Sequence, residues 1–408
     1  MAELKKPELL SPVQDFVSLK AAIDAGCDAV YFGIKEYNMR AGAKNFTSSQ
    51  LKNVVDICHK NNVKAYLALN TIIYEEEIKK IKIILKKAKQ ADIDAVICWD
   101  MSVLEEARKL RLNIHLSTQA SVSNSEAAEF YRKQGVSRII FARECSLEQL
   151  KKIKKNSKVE IEVFIHGAMC VSISGRCFIS QFLFNKSANR GECLQPCRRK
   201  YLIKDIEEAH ELEIGEDYVL SPKDLCALPF IEKLIEAKID AFKIEGRNRS
   251  PEYVYNVTSA YRKLIDFYVN NKGKKDFKEN FENLRKQLME KLKEVYNRGF
   301  SSGFYLGKPI NEWSKVYGSK AAARKEYLGY ILHFYNKAKV AEIKIEAGKI
   351  KLGDRIMIQG PTTGVYEQKA ESMEINHKKI GSAEKGMTIA LKMGIYARKN
   401  DKVFVIKT

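Results

Sequence analysis

The chain has 408 residues, 45% hydrophobic and 30% charged, a balance that suits a folded protein of two or three domains and excludes a disordered one. Its 71 Lys and Arg outweigh 51 Asp and Glu by a formal +20, which favours a polyanionic partner such as nucleic acid over a chain whose lysines only solvate helix faces. The start, MAELKKPELLSP, lacks an apolar signal core and no run is long enough to span a bilayer, so we expect a cytoplasmic protein with reduced thiols and no membrane partner.

From residue 1 to about 250 two periodicities alternate. Short apolar, β-branched runs occur at ELLSPV, DAVYFGI, KAYLALN, DAVICWD, NIHLSTQ, RIIFARE and EIEVFIHG, and helical stretches such as SSQLKNVVDICHKNN and SLEQLKKIKK lie between them. This is the pattern of βα units around a parallel sheet buried on both faces. YVLSPKD and DAFKIEGR follow, separated by LPFIEKLIEAK, which makes nine strand candidates. Eight of them, with one extra in a cysteine-bearing insertion, predict an α/β (β/α)8 barrel of the TIM type; an open doubly wound sheet is the rival. The strand candidates end in polar residues: Asn70, Asp100, Gln119, Glu144, His166, Asp224, and Glu245 with Arg247. Repeated at C-terminal strand ends, such groups converge on the face where a barrel builds its site, although single ones also serve as helix caps.

Residues 251–324 read as a helical segment, with two long amphipathic stretches joined by KGKKDF. Residues 325–408 change character again. EYLGYILHFY, KVAEIKIEA, DRIMIQG, QKAESMEIN, TIALKM and DKVFVIKT are short strands broken by glycines and turns, and predict a small antiparallel β-barrel.

Four cysteines, Cys170, Cys177, Cys193 and Cys197, fall within 28 residues among glycines and arginines, and Cys226 follows in LSPKDLC. Disulfides do not suit a reducing compartment, and the paired CxxC knuckles of a zinc ribbon are absent. An irregular spacing on barrel loops suits an iron–sulfur cluster, and the neighbouring Arg176, Arg190, Arg198 and Arg199 are expected to lower the thiol pKa values. Cys27, Cys58, Cys98 and Cys145 stand alone in apolar elements and read as core residues. His166, four residues before Cys170, keeps a thiol nucleophile with a histidine base in play.

EVFIHGAMCVSISGRCFIS matches the pattern E-x-F-x-x-G-[SA]-x-C-x(4)-G-x-C-x-x-S. With NMRAGAKNFT, RGECLQPCRR, LSPKDLC and FKIEGR, it resembles the collagenase-like peptidase family, once described as peptidases of unknown catalytic type. The resemblance extends into residues 335–363, YNKAKVAEIKIEAGKIKLGDRIMIQGPTT, which are similar to the β-barrel of translation elongation factors. The whole arrangement is most similar to the family's tRNA-hydroxylating members. It implies O2-independent hydroxylation of tRNA at C5 of the wobble uridine, a [4Fe–4S] cluster, and prephenate as the hydroxyl source. The implied ligands are Cys170, Cys177, Cys193 and Cys226, with Cys197 the doubtful one. Tyr31, Arg40, Asn45, Lys243, Glu245 and Arg247 are then candidates to line a base pocket. Arg40, Arg176 and Arg247 are candidates to grip a dicarboxylate. Two alternatives stand beside this reading: a peptidase, as the family name says, and a non-catalytic RNA-binding subunit working beside a shorter paralogue.

Overall fold

The computed structural model describes residues 5–201, 218, 220–310 and 312–407. The strand candidate YVLSPKD falls partly outside them. The first strands are short and nearly all buried: β1 (Glu8–Pro12), β2 (Ala29–Gly33), β3 (Lys64–Ala68), β4 (Ala95–Cys98), β5 (Ile114–Leu116), β6 (Val136–Ile140) and β7 (Glu160–Gly167). Helices α1 (Phe16–Asp24), α2 (Leu51–Lys60), α3 (Ile78–Gln90), α4 (Met101–Lys109), α5 (Ser125–Lys133) and α6 (Leu147–Asn156) alternate with them. Each helix buries one stripe. In α2, Leu51, Val54, Val55 and Cys58 are buried, and in α3, Ile81, Ile84, Leu85 and Ala88, the spacing of a single helical face. Side-chain caps from Asp15, Asp100, Asn124 and Ser146 start α1, α4, α5 and α6.

After β7 the chain makes an excursion that carries α7 (Ile179–Phe184) and the short strand β8 (Asp224–Cys226). It returns through α8 (Ile231–Glu236) and β9 (Ala241–Ile244) to α9 (Pro251–Asn271) and α10 (Phe277–Glu294). The order β7-β6-β5-β4-β3-β2-β1-β9, with β9 also pairing parallel to β7, closes an eight-stranded parallel barrel. This is the TIM-type barrel the periodicity predicts, and the open-sheet rival falls. β8 is the extra strand. It pairs antiparallel with the last residues of β7, outside the ring, and β10 (Phe300–Ser301) extends it. Residue 250 marks no break in packing: Tyr253, Val254, Val257 and Tyr261 of α9 lie in the barrel's own hydrophobic core.

The C-terminal strands are β11 (Arg324–Tyr335), β12 (Val340–Ile345), β13 (Lys349–Lys351), β14 (Arg355–Gly360), β15 (Gly364–Lys369), β16 (Met373–Ile375), β17 (Lys378–Lys379), β18 (Ser382–Glu384), β19 (Thr388–Lys392) and β20 (Lys402–Lys407). They form an antiparallel sheet in the order β15-β14-β20-β11-β12-β19-β16-β17, with a β13–β18 ribbon, around a separate core that includes Leu328, Ile343, Ile356 and Val403. This module leans on α1 and α9 through Ala21, Met357, Val365 and Ile406, and through ion pairs Lys325–Glu252 (2.9 Å) and Arg355–Glu294 (3.0 Å). No helix among the described residues is long and apolar enough to cross a membrane.

Inside the barrel the apolar filling expected of such a fold gives way to charge. Glu8 meets Arg138 at 2.5 Å; Arg138 meets Glu162 at 3.4 Å; Glu162 meets Lys243 at 2.8 Å. Arg138, Glu162 and Lys243 are all buried. Burial pushes the Lys243 ammonium down, and Glu162 partly restores it.

Candidate active site at the barrel mouth

A pocket of about 290 Å³ opens at the C-terminal ends of the barrel strands. Its floor is Lys243 under the ring of Tyr31, with the ammonium 4.2 Å from the ring centre. The Tyr31 hydroxyl donates to the Ile244 carbonyl at 2.8 Å, so the ring rather than the hydroxyl is what the pocket receives. Asn70, Gln119 and Glu144 line the wall, with Glu144 accepting the Ser174 backbone N–H at 2.8 Å.

The charged centre is Glu245. Arg40 donates to it at 3.1 and 3.3 Å, and Arg143 stands 3.5 Å away. Burial alone would raise the Glu245 pKa, but Arg40, Arg143 and Arg247 outweigh it and hold it at about 2. Arg247 is buried and donates to Asn38 Oδ1 at 2.9 Å; its Nε has no partner, and burial lowers its pKa to about 10. The same Asn38 oxygen takes the Arg40 backbone N–H at 2.9 Å, so one amide fixes both arginines. Arg143 lies 3.8 Å from the centre of the Phe164 ring and donates to the Ala168 carbonyl at 2.6 Å; its Nε is likewise without a partner. Cations therefore outnumber carboxylates here, and two buried guanidinium N–H groups are left over, an arrangement that calls for an anion.

The thiols stand above this floor. Cys170, Cys177, Cys193 and Cys197 all border the pocket. Two glycines allow the loops to reach it. Gly167 has φ +108°, and a side chain there would run into the Glu245 carbonyl. Gly191 has φ +87° and packs RGEC against the backbone of Asn38 and Ala41. Burial raises the Cys193 and Cys197 thiols, and Arg40 and Arg198 respectively offset this only in part. For these two the expected lowering by arginine loses to desolvation. Among the described residues no three His, Cys, Asp or Glu side chains converge closely enough to hold a single ion. A cluster with several irons is bulky, so ligands that ring it need not converge as they must around one ion.

Cys226 and His166 are among the expected residues that face elsewhere. Cys226 does not reach the pocket: it is buried on β8, with its sulfur 3.7 Å from the Tyr261 hydroxyl and 3.9 Å from the Met289 sulfur. Cys197, the doubtful one, borders the pocket with the other three. His166 is buried against Tyr253, Tyr261 and Phe300, and burial lowers its pKa to about 3. The reason is a bulge. The β7–β9 register shifts between Phe164 and His166, so Ile165 is an extra residue and the strict alternation that aims Glu162 and Phe164 inward is reversed. His166 therefore cannot serve Cys170.

Arg176 sits on the rim, donating to Ser121 Oγ at 3.0 Å. Asn45 shapes the Arg40 loop, donating to the Arg40 carbonyl at 2.9 Å. Asp100 caps α4, and Asp224 faces Arg298 at 3.6 Å. Arg143, which directly precedes Glu144 at a strand end, and Asn38 join the site without having been singled out by the strand-end pattern. The lone cysteines Cys27, Cys58, Cys98 and Cys145 are buried as expected, and burial pushes Cys58 and Cys98 up to about 12.

The profile of peptidase family U32 matches residues 14–315. A Methanocaldococcus jannaschii protein named an uncharacterized protease is 43% identical, covering 98% of both chains. A Porphyromonas gingivalis protein named collagenase is 41% identical over 97% of both. The Bacillus subtilis tRNA hydroxylation protein P1 is 35% identical, over 88% of this chain and 84% of its own.

Proposed function

Since the chain belongs to peptidase family U32, which includes relatives named for tRNA hydroxylation, we propose that it is an RNA hydroxylase rather than a hydrolase. In this reading it carries a [4Fe–4S] cluster and forms 5-hydroxyuridine at the wobble position of tRNA, with prephenate as hydroxyl source. The observation that carries the reading is the set of four thiols, Cys170, Cys177, Cys193 and Cys197, around one cationic pocket. Those four would hold the cluster, which supplies a one-electron redox centre beside the pocket. Arg143 and Arg247, each with an Nε to spare, and Arg40 would receive the carboxylates of prephenate or a phosphate of the tRNA. The Tyr31 ring and the amides of Asn70 and Gln119 offer a flipped uracil a face and polar edges. The formal +20 suits a tRNA partner.

The peptidase reading has two of the relatives' names in its favour. It needs a thiol activated by a base, and no described histidine lines the pocket. A subunit that only binds RNA beside a shorter paralogue would have no use for a ring of thiols over three arginines. The test is a strain lacking this protein: tRNA hydrolysates should lose 5-hydroxyuridine and its derivatives, and the wild-type gene should restore them. Unchanged hydrolysates, or cleavage of casein or collagen abolished by Cys170→Ala, would overturn the proposal.

A further inference from the structure

We infer that residues 173–200, within the excursion that follows β7, are a stacking platform for the unpaired nucleotides flanking the target base; this rests on the reading of the pocket as an RNA site. The platform centres on α7. One side of this short helix belongs to the pocket: Ile179 and Ser180 line it, and Ser180 Oγ accepts the Leu194 backbone N–H at 3.1 Å. Its other side is apolar and bare. Phe182 is 83% exposed and Phe178 62%, with ring centres 6.0 Å apart, and Ile173, Leu183 and Leu194 of the same loop segment are each more than half exposed. Scattered exposed hydrophobics need no explanation, but a contiguous patch beside a pocket marks a binding surface.

The choice of occupant follows from what is interleaved with the patch. From Arg176 to Lys200 the chain has six Lys and Arg against the single acid Glu192. Two of them are structural: Arg190 is clamped by Glu77, and Arg198 donates to the Pro222 carbonyl. Of the exposed ones, Lys186 faces Glu192 at 3.6 Å, whereas Arg176 lies over Trp99 at 5.9 Å and Arg199 over Phe184 at 5.2 Å. Aromatic faces alternating with cations match a single strand of RNA, whose bases each offer a π face and whose backbone offers charge at every step. A second copy of this chain would carry the same excess of positive charge onto the same patch, which disfavours that occupant.

The test uses the full-length protein and two RNA probes at one salt concentration, a hairpin with an unpaired loop and a fully paired duplex of equal length. Phe178→Ala/Phe182→Ala should weaken hairpin binding about tenfold or more, leave duplex binding nearly unchanged, and leave the unfolding midpoint in place because both rings are exposed. Phe182→Tyr should retain most of the affinity. Arg176→Gln should lower the slope of log affinity against log salt by about one. Equal hairpin affinity in the double-alanine variant overturns the platform while leaving the hydroxylase reading in place. Wild-type protein that binds neither RNA removes the reading on which the platform rests. Self-association, or binding to anionic vesicles, that disappears with the two phenylalanines would reassign the patch and also overturn the inference.

Discussion

The two faces of the barrel wall at the end of β7 make the instructive comparison. Both carry a cysteine and both were expected to contribute to one site. The inner face presents Phe164, Ala168 and Cys170 to a polar, cation-rich mouth, where thiols meet guanidinium groups. The outer face presents His166, with Cys226 paired opposite it, to tyrosines of α9 and a methionine of α10, where burial lowers the histidine to about 3 and raises the thiol to about 11. Residue type is shared between the two faces, whereas chemistry is not. For His166 what separates them is one extra backbone residue, Ile165; for Cys226 it is the place of β8 outside the ring.

The largest effect should come from exchanging the two cysteine sets. Cys170→Ala, Cys177→Ala, Cys193→Ala and Cys197→Ala should each remove most of the iron from protein purified without oxygen, whereas Cys226→Ala should keep it and keep the brown colour. Iron lost from Cys226→Ala but kept in Cys197→Ala would reverse the assignment of faces, and zinc without sulfide would discard the cluster.

A smaller effect is expected on the inner face below the thiols. Arg247→Ala removes a buried donor to Asn38 and one of three cations around Glu245, so hydroxylation should fall roughly tenfold to a hundredfold with iron retained, as expected for a charged hydrogen bond worth roughly 1.5–3 kcal/mol. Activity at the wild-type level would show that Arg247 only supports the loop of Arg40.

The smallest effect belongs to the outer face. His166→Gln should retain iron and lose little activity, because the side chain never meets the pocket. Its signature is in acid. A histidine whose folded pKa is lowered from 6.5 to about 3 stays neutral while the unfolded chain takes up a proton, so its contribution is intact above pH 6.5 and is lost as pH falls towards 3. The loss approaches 1.4 kcal/mol per pH unit, roughly. Urea midpoints measured across that range should fall less steeply for His166→Gln than for wild type; parallel profiles would mean that the ring is charged or exposed after all.

The barrel was legible because short, continuously apolar strand runs alternate with period-3.6 helices along the chain, and the ring of strand-end polar groups located its working face. Asn70, Gln119, Glu144, Glu245 and Arg247 converge there as the pattern implied. Asp100, Asp224, His166 and Cys226 did not follow; for His166 the cause is the Ile165 bulge, which no residue type announces, and Cys226 went with β8 outside the ring. Arg143 was hidden in an apolar run, where a charged residue reads as a strand end. The polar interior was equally hidden: Glu8, Arg138, Glu162 and Lys243 lie on four separate strands, and only the closed barrel brings them into line.

That line of alternating charge has an evolutionary consequence. Deleting one member of a buried ion pair leaves its partner uncompensated, typically at a cost of about 3–5 kcal/mol, whereas replacing the set by well-packed apolar residues can be neutral. Glu8, Arg138, Glu162 and Lys243 therefore form a unit of inheritance. Across homologues they should persist together or vanish together, and a lineage that has lost only one should carry a compensating change at a neighbouring member of the line.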